Sequence, residues 1–445
     1  MPAPLKQKDP CFMSCESSEK TGTSEQTGEQ IATPMVYYRG GTSKAVIIDR
    51  RNLPVESEEQ FAAWILAAYG SPDRRQIDGL GGADPLTSKF AVVGPPTRSD
   101  ADIDYTFYQV AINDPFVSRD ANCGNISSAI APYAIEEGFV KATGDETIVR
   151  VHATNFGEII SIKVLTKNGV PRVLGDQQIS GVPGTGSPLT LDLHRLVGTH
   201  GGGLLPTGRA MDAIEFEGLG EVEFSAIDLA NYIVFVRAEA FGLSGIESPD
   251  DLSRDKLLMA SLERFRLAVG VKLGFAKDTK EARIACSNSP FLAVVSKPQD
   301  WTEYGSGQRR TASECDFYAF SLLDQLIHKS YQVTGSSCAA AAAFLPGTIV
   351  NSVSGKGGLT GKVRIGHPSG VMDVDIALAK AGEGYDVTEA SLIRTARRLA
   401  EGRIFVAVDR LPWRSESGGK PIMKSVQPES QKNLRNETFY AETEV

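Results

Sequence analysis

One arrangement occurs twice in this chain and constrains its fold more than any other feature: a polar, glycine-containing turn leads into a helix with almost no polar face. The first turn is Asn122-Cys123-Gly124-Asn125, and apolar side chains recur at helical intervals over 126–138. The second is Thr334-Gly335-Ser336-Ser337-Cys338, which precedes 339–344. Helices that are apolar on all sides are buried. We therefore predict an α+β fold of two similar halves, each with several strands and one buried helix.

The length of the chain agrees with two domains. At 445 residues it exceeds one ordinary core, and two domains of roughly 150–200 residues each are the default. Residues 1–34 and 414–445 are polar, so we interpret them as a disordered N-terminal tail and a polar C-terminal tail. We expect the first domain over 35–208, joined by a last strand near 403–408, and the second over 209–400.

Periodicity and turn residues predict the local elements between the tails. Predicted helices, the first with Ser57 as its N-cap, cover 57–69, 126–138, 250–273, 316–329 and 387–400. Predicted strands include 36–39, 45–48, 89–93, 105–110, 147–152, 158–165, 189–193, 222–225, 232–238, 291–296, 371–376 and 403–408.

Composition excludes several classes of protein. The formal charge of −9 argues against a nucleic-acid surface and against binding to an anionic membrane. No apolar run is long enough for a membrane span, and the N-terminal segment is acidic without arginine, unlike a transit peptide. We therefore expect a cytoplasmic protein. The six cysteines are scattered, and no metal-binding or cofactor-binding motif occurs, so we expect neither a metal site nor a cofactor.

Cys123 is the strongest candidate for chemistry. It stands at a predicted helix start, where unpaired N–H groups and the helix dipole favour a thiolate. The same amides, at Gly124 and Asn125, can hold a carboxylate or an enolate oxygen, and Gly124 would leave room for a ligand. The alternative is a buried structural cysteine, the commoner fate of a lone thiol.

Three further segments carry candidate groups. Lys89 follows a glycine-rich loop at the mouth of a predicted strand, where an apolar pocket would favour the neutral amine and a role as a base. The run Arg39-Gly40-Gly41-Thr42-Ser43-Lys44 suits carboxylate binding, and so does His367-Pro368-Ser369-Gly370. Each has an ordinary structural alternative: a lysine at a strand end, a hairpin turn, and a solvent-facing histidine in a turn.

Seven runs together resemble the PrpF family, in that family's order and over roughly residues 35–412. They are Arg39-Gly40-Gly41-Thr42-Ser43-Lys44, Thr87-Ser88-Lys89, Asn122-Cys123-Gly124-Asn125, Ala131-Pro132-Tyr133-Ala134, Leu204-Leu205-Pro206-Thr207-Gly208, Pro346-Gly347-Thr348 and Arg364-Ile365-Gly366-His367-Pro368-Ser369-Gly370. The resemblance implies the diaminopimelate epimerase fold, in which two similar domains each wrap a curved sheet round a central helix and the active site lies between them.

The resemblance also implies a reaction, the movement of a proton and a double bond in an unsaturated tricarboxylate. Lys89 and Cys123 would handle the protons, without a cofactor. The substrate would be held by Arg39, Gly41, Thr42, Ser43, Ser88, Gly124, Asn125, Thr334, Gly335, His367, Ser369 and Gly370. The position of the second catalytic cysteine of the epimerases, just before the Thr334-Gly335 step, holds none, and we expect Cys338 to pack inside its helix. A symmetric two-thiol racemase is therefore disfavoured.

Several alternatives stay open on the sequence. The chain departs from the family at Ile327-His328-Lys329, where a Met-His-Lys run is usual, and in an apparent insert over 301–313. These departures leave the substrate open between cis-aconitate, as itaconate production would require, and 2-methylaconitate, as propionate breakdown would require. A 4-oxalomesaconate-type keto-enol tautomerase and a non-catalytic carboxylate-binding protein are the other interpretations. A homodimer is left open.

Overall fold

The computed structural model describes residues 24–119, 123–198, 200–286, 289–323, 326–382 and 384–413. Its strands up to the middle of the chain are β1 Glu25–Thr27, β2 Gln30–Gly40, β3 Ser43–Asp49, β4 Lys89–Gly94, β5 Ile103–Val110, β6 Val117–Ser118, β7 Glu146–Ala153, β8 Glu158–Lys167, β9 Val170–Pro171 and β10 Leu189–Asp192. The remaining strands are β11 Asp212–Phe216, β12 Gly220–Asp228, β13 Tyr232–Arg237, β14 Phe291–Ser296, β15 Trp301–Thr302, β16 Arg309–Arg310, β17 Phe317–Leu323, β18 Leu326–Ile327, β19 Thr360–His367, β20 Gly370–Ala381, β21 Gly384–Arg394 and β22 Ala396–Ala407. The α-helices are α1 Glu58–Tyr69, α2 Gly124–Glu136, α3 Pro249–Arg254, α4 Lys256–Lys272, α5 Thr279–Ala285, α6 Val333–Phe344 and α7 Ile349–Ser354.

The strands of the first half pair in a fixed alternation. β2 and β3 are antiparallel, β3 and β4 parallel, and β4 and β5 antiparallel. β5 and β7 are then parallel, β7 and β8 antiparallel, and β8 and β10 antiparallel. The first parallel step is bridged by α1 and the second by α2, because parallel neighbours need a crossover connection.

The second half repeats this alternation. β12 and β13 are antiparallel, β13 and β14 parallel, and β14 and β17 antiparallel. β17 and β19 are parallel, β19 and β20 antiparallel, and β20 and β21 antiparallel. Here α3, α4 and α5 occupy the place of α1, and α6 occupies the place of α2. The predicted duplication is confirmed by this topology.

Two strands join the halves into one sheet system. β10 pairs with β8 on one side and with β21 on the other. β22 returns from the end of the chain and pairs with β2 from Gln30 opposite Ala407 to Gly40 opposite Ala396. The strand expected near 403–408 is the end of β22 and pairs with β2. The predicted domain limits, including the assignment of this strand to the first domain, stay a prediction.

The two central helices supply the core. Every residue of α6 is buried, and so are the residues of α2 up to Ile135. Strands pack around both: β2, β3, β5, β7, β8 and β22 contact α2, whereas β12, β13, β19, β20 and β21 contact α6. Because burying one aliphatic side chain contributes roughly 1.5–3 kcal/mol, this packing holds each helix and its polar start in place.

Three helix predictions need correction. Residues 316–329 form β17 and β18, because the apolar run Phe317-Tyr318-Ala319-Phe320 is buried between β14 and β19 and a short apolar run does not reveal its period. Residues 387–400 form parts of β21 and β22: pairing with β20, β10 and β2 overrides their helix-favouring composition. The predicted helix over 250–273 is divided at Asp255, whose side chain caps α4 by accepting from Leu258 N.

The N-terminal prediction is wrong for the residues that the structure describes. Residues 25–27 and 30–34 are in strands, and Ile31, Ala32 and Thr33 are buried because β2 lies between β3 and β22. The rest of the predicted tail, 1–23, and the C-terminal tail, 414–445, lie outside the described residues. Within the described ranges, no helix is both long and apolar enough to cross a membrane.

Candidate active site

The start of α2 is held against the hairpin between β2 and β3. Asn125 Nδ2 donates to Thr42 Oγ1 at 3.0 Å, and Ser128 Oγ donates to Asn125 O at 2.6 Å. Gly41 has φ +50°, and a Cβ at this position would overlap Asn125 Oδ1. Only glycine satisfies both the left-handed backbone and the close approach. The predicted binding residues Gly41, Thr42 and Asn125 are thus neighbours.

The start of α6 is likewise held to a hairpin by a hydrogen bond and by a close approach at a glycine. Asn231, in the turn between β12 and β13, donates through Nδ2 to Thr334 Oγ1 at 2.9 Å. A Cβ on Gly335 would lie 2.7 Å from Ile233 Cδ1 of β13. The same kind of asparagine–threonine hydrogen bond therefore holds each central helix to the hairpin of its own half.

The two helix starts meet. A Cβ on Gly124 would lie 2.6 Å from Val333 Cγ1 and 3.6 Å from Thr334 Cγ2. Gly124 therefore permits contact between the two helices, a structural reason that differs from the predicted room for a ligand. Since each helix presents a partial positive charge and unpaired amides at its first turn, the contact concentrates two such ends in one place.

Cys123 is the N-cap residue of α2. Its carbonyl accepts from Ser127 N at 2.8 Å and from Ser127 Oγ at 3.1 Å, and its side chain is partly buried. The amides of Gly124, Asn125 and Ile126 precede this first helical hydrogen bond, so they are the donors that a helix start offers to an anion. The flanking Asn122 of the motif lies outside the described residues.

Lys89 begins β4 and is 7% exposed. Ala91 and Val93 of the same strand pack in the cluster around α2, and alternation places Lys89 on that face. Its Nζ donates to Gln109 Oε1 at 2.6 Å and lies 5.1 Å from the centre of the Phe107 ring. Gln109 was not among the predicted site residues, because its place at the end of a strand is the only signal that it has in the sequence.

Gln76 organises the loop before Lys89. Its Oε1 accepts from Ser88 Oγ at 2.7 Å and from Ala83 N at 2.8 Å, while its Nε2 donates to Ser71 Oγ at 3.0 Å. It is buried and has φ +46°. The hydroxyl of Ser88, a predicted substrate-binding group, is therefore engaged in holding this loop.

The hairpin residues Arg39 and Ser43 differ in what their side chains do. Arg39 Nη1 donates to the carbonyls of Gly41 and Thr395, both at 2.9 Å. Arg39 therefore links the hairpin to the connection between β21 and β22. Ser43 is fully buried, and its hydroxyl has no hydrogen-bond partner among the described residues.

His367, at the end of β19, is fully buried. Its Nδ1 accepts from Ser369 N at 3.2 Å, which leaves the ring proton on Nε2 in the neutral form, and Nε2 has no partner in the described part of the chain. Burial, with the nearby charge of Arg394, lowers its pKa to about 3. Ser369 Oγ donates to Lys329 O at 2.5 Å, and Gly370 approaches Ser180 and Glu303.

His328 follows β18 and is a residue of the second half that lies near Lys89. Its Nδ1 accepts from Ser330 N at 3.1 Å, and its pKa is lowered to about 4 by burial and by the charge of Lys89. The next residue, Lys329, forms a 3.5 Å ion pair with Asp84 in the loop before Lys89. His328 lies within the helix predicted over 316–329, and the strand β18 before it corrects that prediction.

Lys89 and Cys123, the predicted proton-handling groups, both lie in the first half. Lys89 pairs with Ala45 across the parallel step of the first half, and Phe291 pairs with Ile233 at the matching step of the second. The helix caps also differ, with Cys123 before α2 and Gln332 before α6. A thiol or an amine on both sides, as a symmetric racemase requires, is absent from these described positions.

The remaining described cysteines are packing residues. Cys338 is fully buried, and its Sγ donates to the carbonyls of Leu229 at 3.0 Å and Asn231 at 2.9 Å. Burial raises its pKa. The prediction that Cys338 packs inside its helix is therefore confirmed. Among the residues that the structure describes, no group of three or more His, Cys, Asp or Glu side chains is placed to hold a metal ion.

The comparison with protein families decides the relationship. The model of the family described as "PrpF protein" matches residues 30–407. The chain belongs to the PrpF family. The 3-methylitaconate isomerase of Eubacterium barkeri is 42% identical over 383 residues, which cover 86% of this chain and 99% of that protein. The 2-methyl-aconitate isomerase of Cupriavidus necator is 33% identical over 392 residues, covering 85% and 98%.

A solved relative supports the fold of this PrpF protein. The crystal structure of methylitaconate-delta-isomerase aligns with a TM-score of 0.74 at 41% identity and covers 86% of this chain and 98% of that one. The expected diaminopimelate epimerase-like fold is thus confirmed. The PrpF protein is an isomerase, of a family whose named members act on unsaturated carboxylates.

Proposed function

We propose that this PrpF protein moves a proton and a double bond in an unsaturated tricarboxylate, cis-aconitate to trans-aconitate or the 2-methylaconitate analogue. The observation that carries the proposal is the asymmetric site: the Lys89 amine and the Cys123 thiol belong to the first half, and the start of α6 meets the start of α2 at Gly124, next to Cys123. One half thus supplies proton transfer, and both helix starts supply positive potential for carboxylates.

The chemistry follows from the substrate class. The methylene hydrogen of an aconitate is flanked by a carboxylate and a double bond, so its removal leaves a delocalised dienolate. Lys89, as the neutral amine, takes this proton and becomes an ammonium. The amides at the start of α2 stabilise the negative charge as it develops on oxygen.

The second proton transfer completes the isomerisation. The Cys123 thiol donates its proton to the far carbon of the allyl system, which forms the new C–H bond, shifts the double bond and leaves a thiolate. Return of the proton to the original carbon after rotation changes cis to trans. Exchange with water resets the amine and the thiol, so no oxidant or reductant is consumed. The roles of Lys89 and Cys123 can be exchanged without changing the products.

A methylitaconate substrate is the second candidate, because the relative that is 42% identical over most of both chains is named 3-methylitaconate isomerase. It is a dicarboxylate that undergoes the same allylic proton shift. The tautomerase and non-catalytic alternatives would use the same site residues. A cytoplasmic location stays a prediction, and a homodimer stays open.

An NMR panel tests the proposal. Purified protein is incubated without metal with cis-aconitate, trans-aconitate, 2-methylaconitate, methylitaconate and 4-oxalomesaconate, and each spectrum is followed with time. We expect interconversion of the aconitates or their methyl analogue. Turnover of 4-oxalomesaconate alone would favour the tautomerase, and binding without any turnover would favour the non-catalytic protein.

Two substitutions test the assigned residues. Lys89→Ala and Cys123→Ser should each lower kcat by about 10²–10⁴-fold, the usual contribution of a positioned acid or base. Lys362→Ala, on the half-exposed side of β19, is the matched control and should retain wild-type kcat. Full activity in both test variants would remove Lys89 and Cys123 from the mechanism.

A further inference from the structure

Arg394 is a buried cation at the end of β21. It is 5% exposed, and it follows Ala390 and Leu392 on the strand face that packs toward the core. Its strand neighbour across the register is Leu189 of β10, which also belongs to that core. A guanidinium in such a place is unusual, because arginine is rarely buried without a partner.

The guanidinium lacks a counter-charge within the described ranges. Among the described residues, no carboxylate forms an ion pair with it, and burial is the cause that lowers its pKa. Arg394 donates through Nη1 to the carbonyl of Ile393 at 2.7 Å and through Nη2 to the sulfur of Met372 at 2.9 Å. A thioether is a weak acceptor, so a large part of the donor capacity of Arg394 is unused. Burial lowers its pKa to about 10, which leaves the group charged near neutral pH.

Arg394 borders the candidate site on two sides. The carbonyl of the next residue, Thr395, accepts from Gly41 N at 2.9 Å, and Gly41 abuts Asn125 at the start of α2. On the other side, Met372, whose sulfur accepts from Arg394 Nη2 at 2.9 Å, pairs with Ile365 of β19, which lies two residues before His367 on the same strand face. The Nε2–H of His367 is also buried, and it has no hydrogen-bond partner among the described residues.

We propose that Arg394 and His367 together bind one carboxylate of the substrate at the second half of the site. The inference rests on the proposed function in taking the ligand to be a polycarboxylate. A carboxylate accepts a hydrogen bond from the guanidinium on one oxygen and from the imidazole Nε2–H on the other, and it supplies the missing negative charge.

The pairing assigns separate tasks to the two halves. The first half carries Lys89 and Cys123, which act on the reacting carbons, and the second half binds a carboxylate away from them. A monocarboxylate bound at Arg394 would have no second carboxylate to bind at the starts of α2 and α6. The arrangement therefore selects substrates in which a second carboxylate lies beyond the allyl system.

Binding of a saturated analogue tests the inference apart from catalysis. Tricarballylate has three carboxylates and no double bond, so it cannot react, and calorimetry measures its Kd for wild type, Arg394→Gln and His367→Gln. We expect Arg394→Gln to weaken binding by about 10- to 100-fold, equivalent to about 1.4–2.8 kcal/mol. Arg397→Gln, an exposed arginine on β22, is the matched control and should bind within about twofold of wild type.

The outcomes separate the two proposals. Weakened tricarballylate binding in Arg394→Gln supports the anchor even if no aconitate is turned over, whereas unchanged Kd overturns it even if turnover is rapid. If Arg394→Gln does not fold, NMR of wild-type protein with labelled arginine decides. The spectrum of Arg394→Lys identifies the guanidinium resonance of Arg394, because that resonance is missing from it. In wild type this resonance should shift on saturation with tricarballylate, and a resonance that does not move overturns the proposal.

Discussion

The amine of Lys89 donates to Oε1 of Gln109 at 2.6 Å, and this hydrogen bond fixes the position of the proposed base. The orientation of the Gln109 amide is defined by its other end, because Nε2 donates to the carbonyls of Ser88 at 3.0 Å and Pro85 at 3.1 Å. A neutral acceptor positions the amine without adding a negative charge that would favour the ammonium form.

Gln109→Glu should therefore impair the reaction without moving any atom far. A carboxylate beside Lys89 favours the charged ammonium, so we expect kcat near neutral pH to fall about tenfold or more and the rising limb of the pH–rate profile to move to higher pH. Gln26→Glu, an exposed residue of β1, adds the same charge as a control. An unchanged profile in Gln109→Glu would exclude Gln109 as a positioning residue.

Cys123 should react with iodoacetamide before the other described cysteines. Cys286, Cys315 and Cys338 are buried, and burial raises the pKa of all three thiols, that of Cys315 to about 11. We expect Cys123 to be alkylated at least about tenfold faster and to be protected by tricarballylate. Peptide mass spectrometry reads each site separately, including Cys11 and Cys15. Faster labelling of Cys338 than of Cys123 would contradict the packing described for α6.

Acid should destabilise the folded protein through His367 and His328. Their pKa values are lowered to about 3 and about 4, from an ordinary value of 6.5. Below that ordinary value the unfolded chain binds protons that the folded chain excludes, so stability is fully present above it and is lost as pH falls toward the folded values. Each histidine contributes a slope of at most about 1.4 kcal/mol per pH unit.

Urea unfolding at several pH values checks this. His367→Gln should reduce the dependence of the free energy of unfolding on pH below about 6.5 relative to wild type. Equal slopes in wild type and His367→Gln would show that His367 takes up a proton in the folded state.

Removing the charge of Arg394 should stabilise the ligand-free protein. A buried cation without a counter-charge carries a desolvation cost of several kcal/mol, and an apolar side chain of similar length removes it. We expect Arg394→Met to raise the free energy of unfolding by about 1 kcal/mol or more while it weakens tricarballylate binding. Thermal and urea unfolding measure the effect. A strongly destabilised variant would instead make Arg394 a structural residue.

The helix starts of the site could be predicted from the sequence because their signals are local. A polar turn with glycine before an all-apolar helix does not depend on distant residues. α2 begins at Gly124, close to the predicted start at 126, whereas α6 begins at Val333 and already includes 334–338, which we predicted as a turn before 339–344. The strands β4, β5, β7, β8 and β14 were also predicted, since each is a run of residues that favour strands between turn signals.

The missed features depend on distant pairing. β21 and β22 contain Ala, Leu, Glu and Arg, which favour helices, and only the partners β2, β10 and β20 make them strands. Arg394 therefore lay on a predicted helix, where nothing distinguished it from Arg397. Gln109 and Gln76 are likewise recognised only by what they contact in space.

Deuterium incorporation tests the central claim most directly. Wild-type protein, Lys89→Ala and Cys123→Ser are incubated with cis-aconitate in deuterated water, and ¹H and ²H NMR follow the former methylene position. Transfer through an exchangeable amine or thiol predicts deuterium at a carbon-bound position of product formed by wild type, with both variants slower by about 10²-fold or more. Isomerised product without deuterium, or wild-type exchange rates in both variants, would contradict the Lys89–Cys123 mechanism.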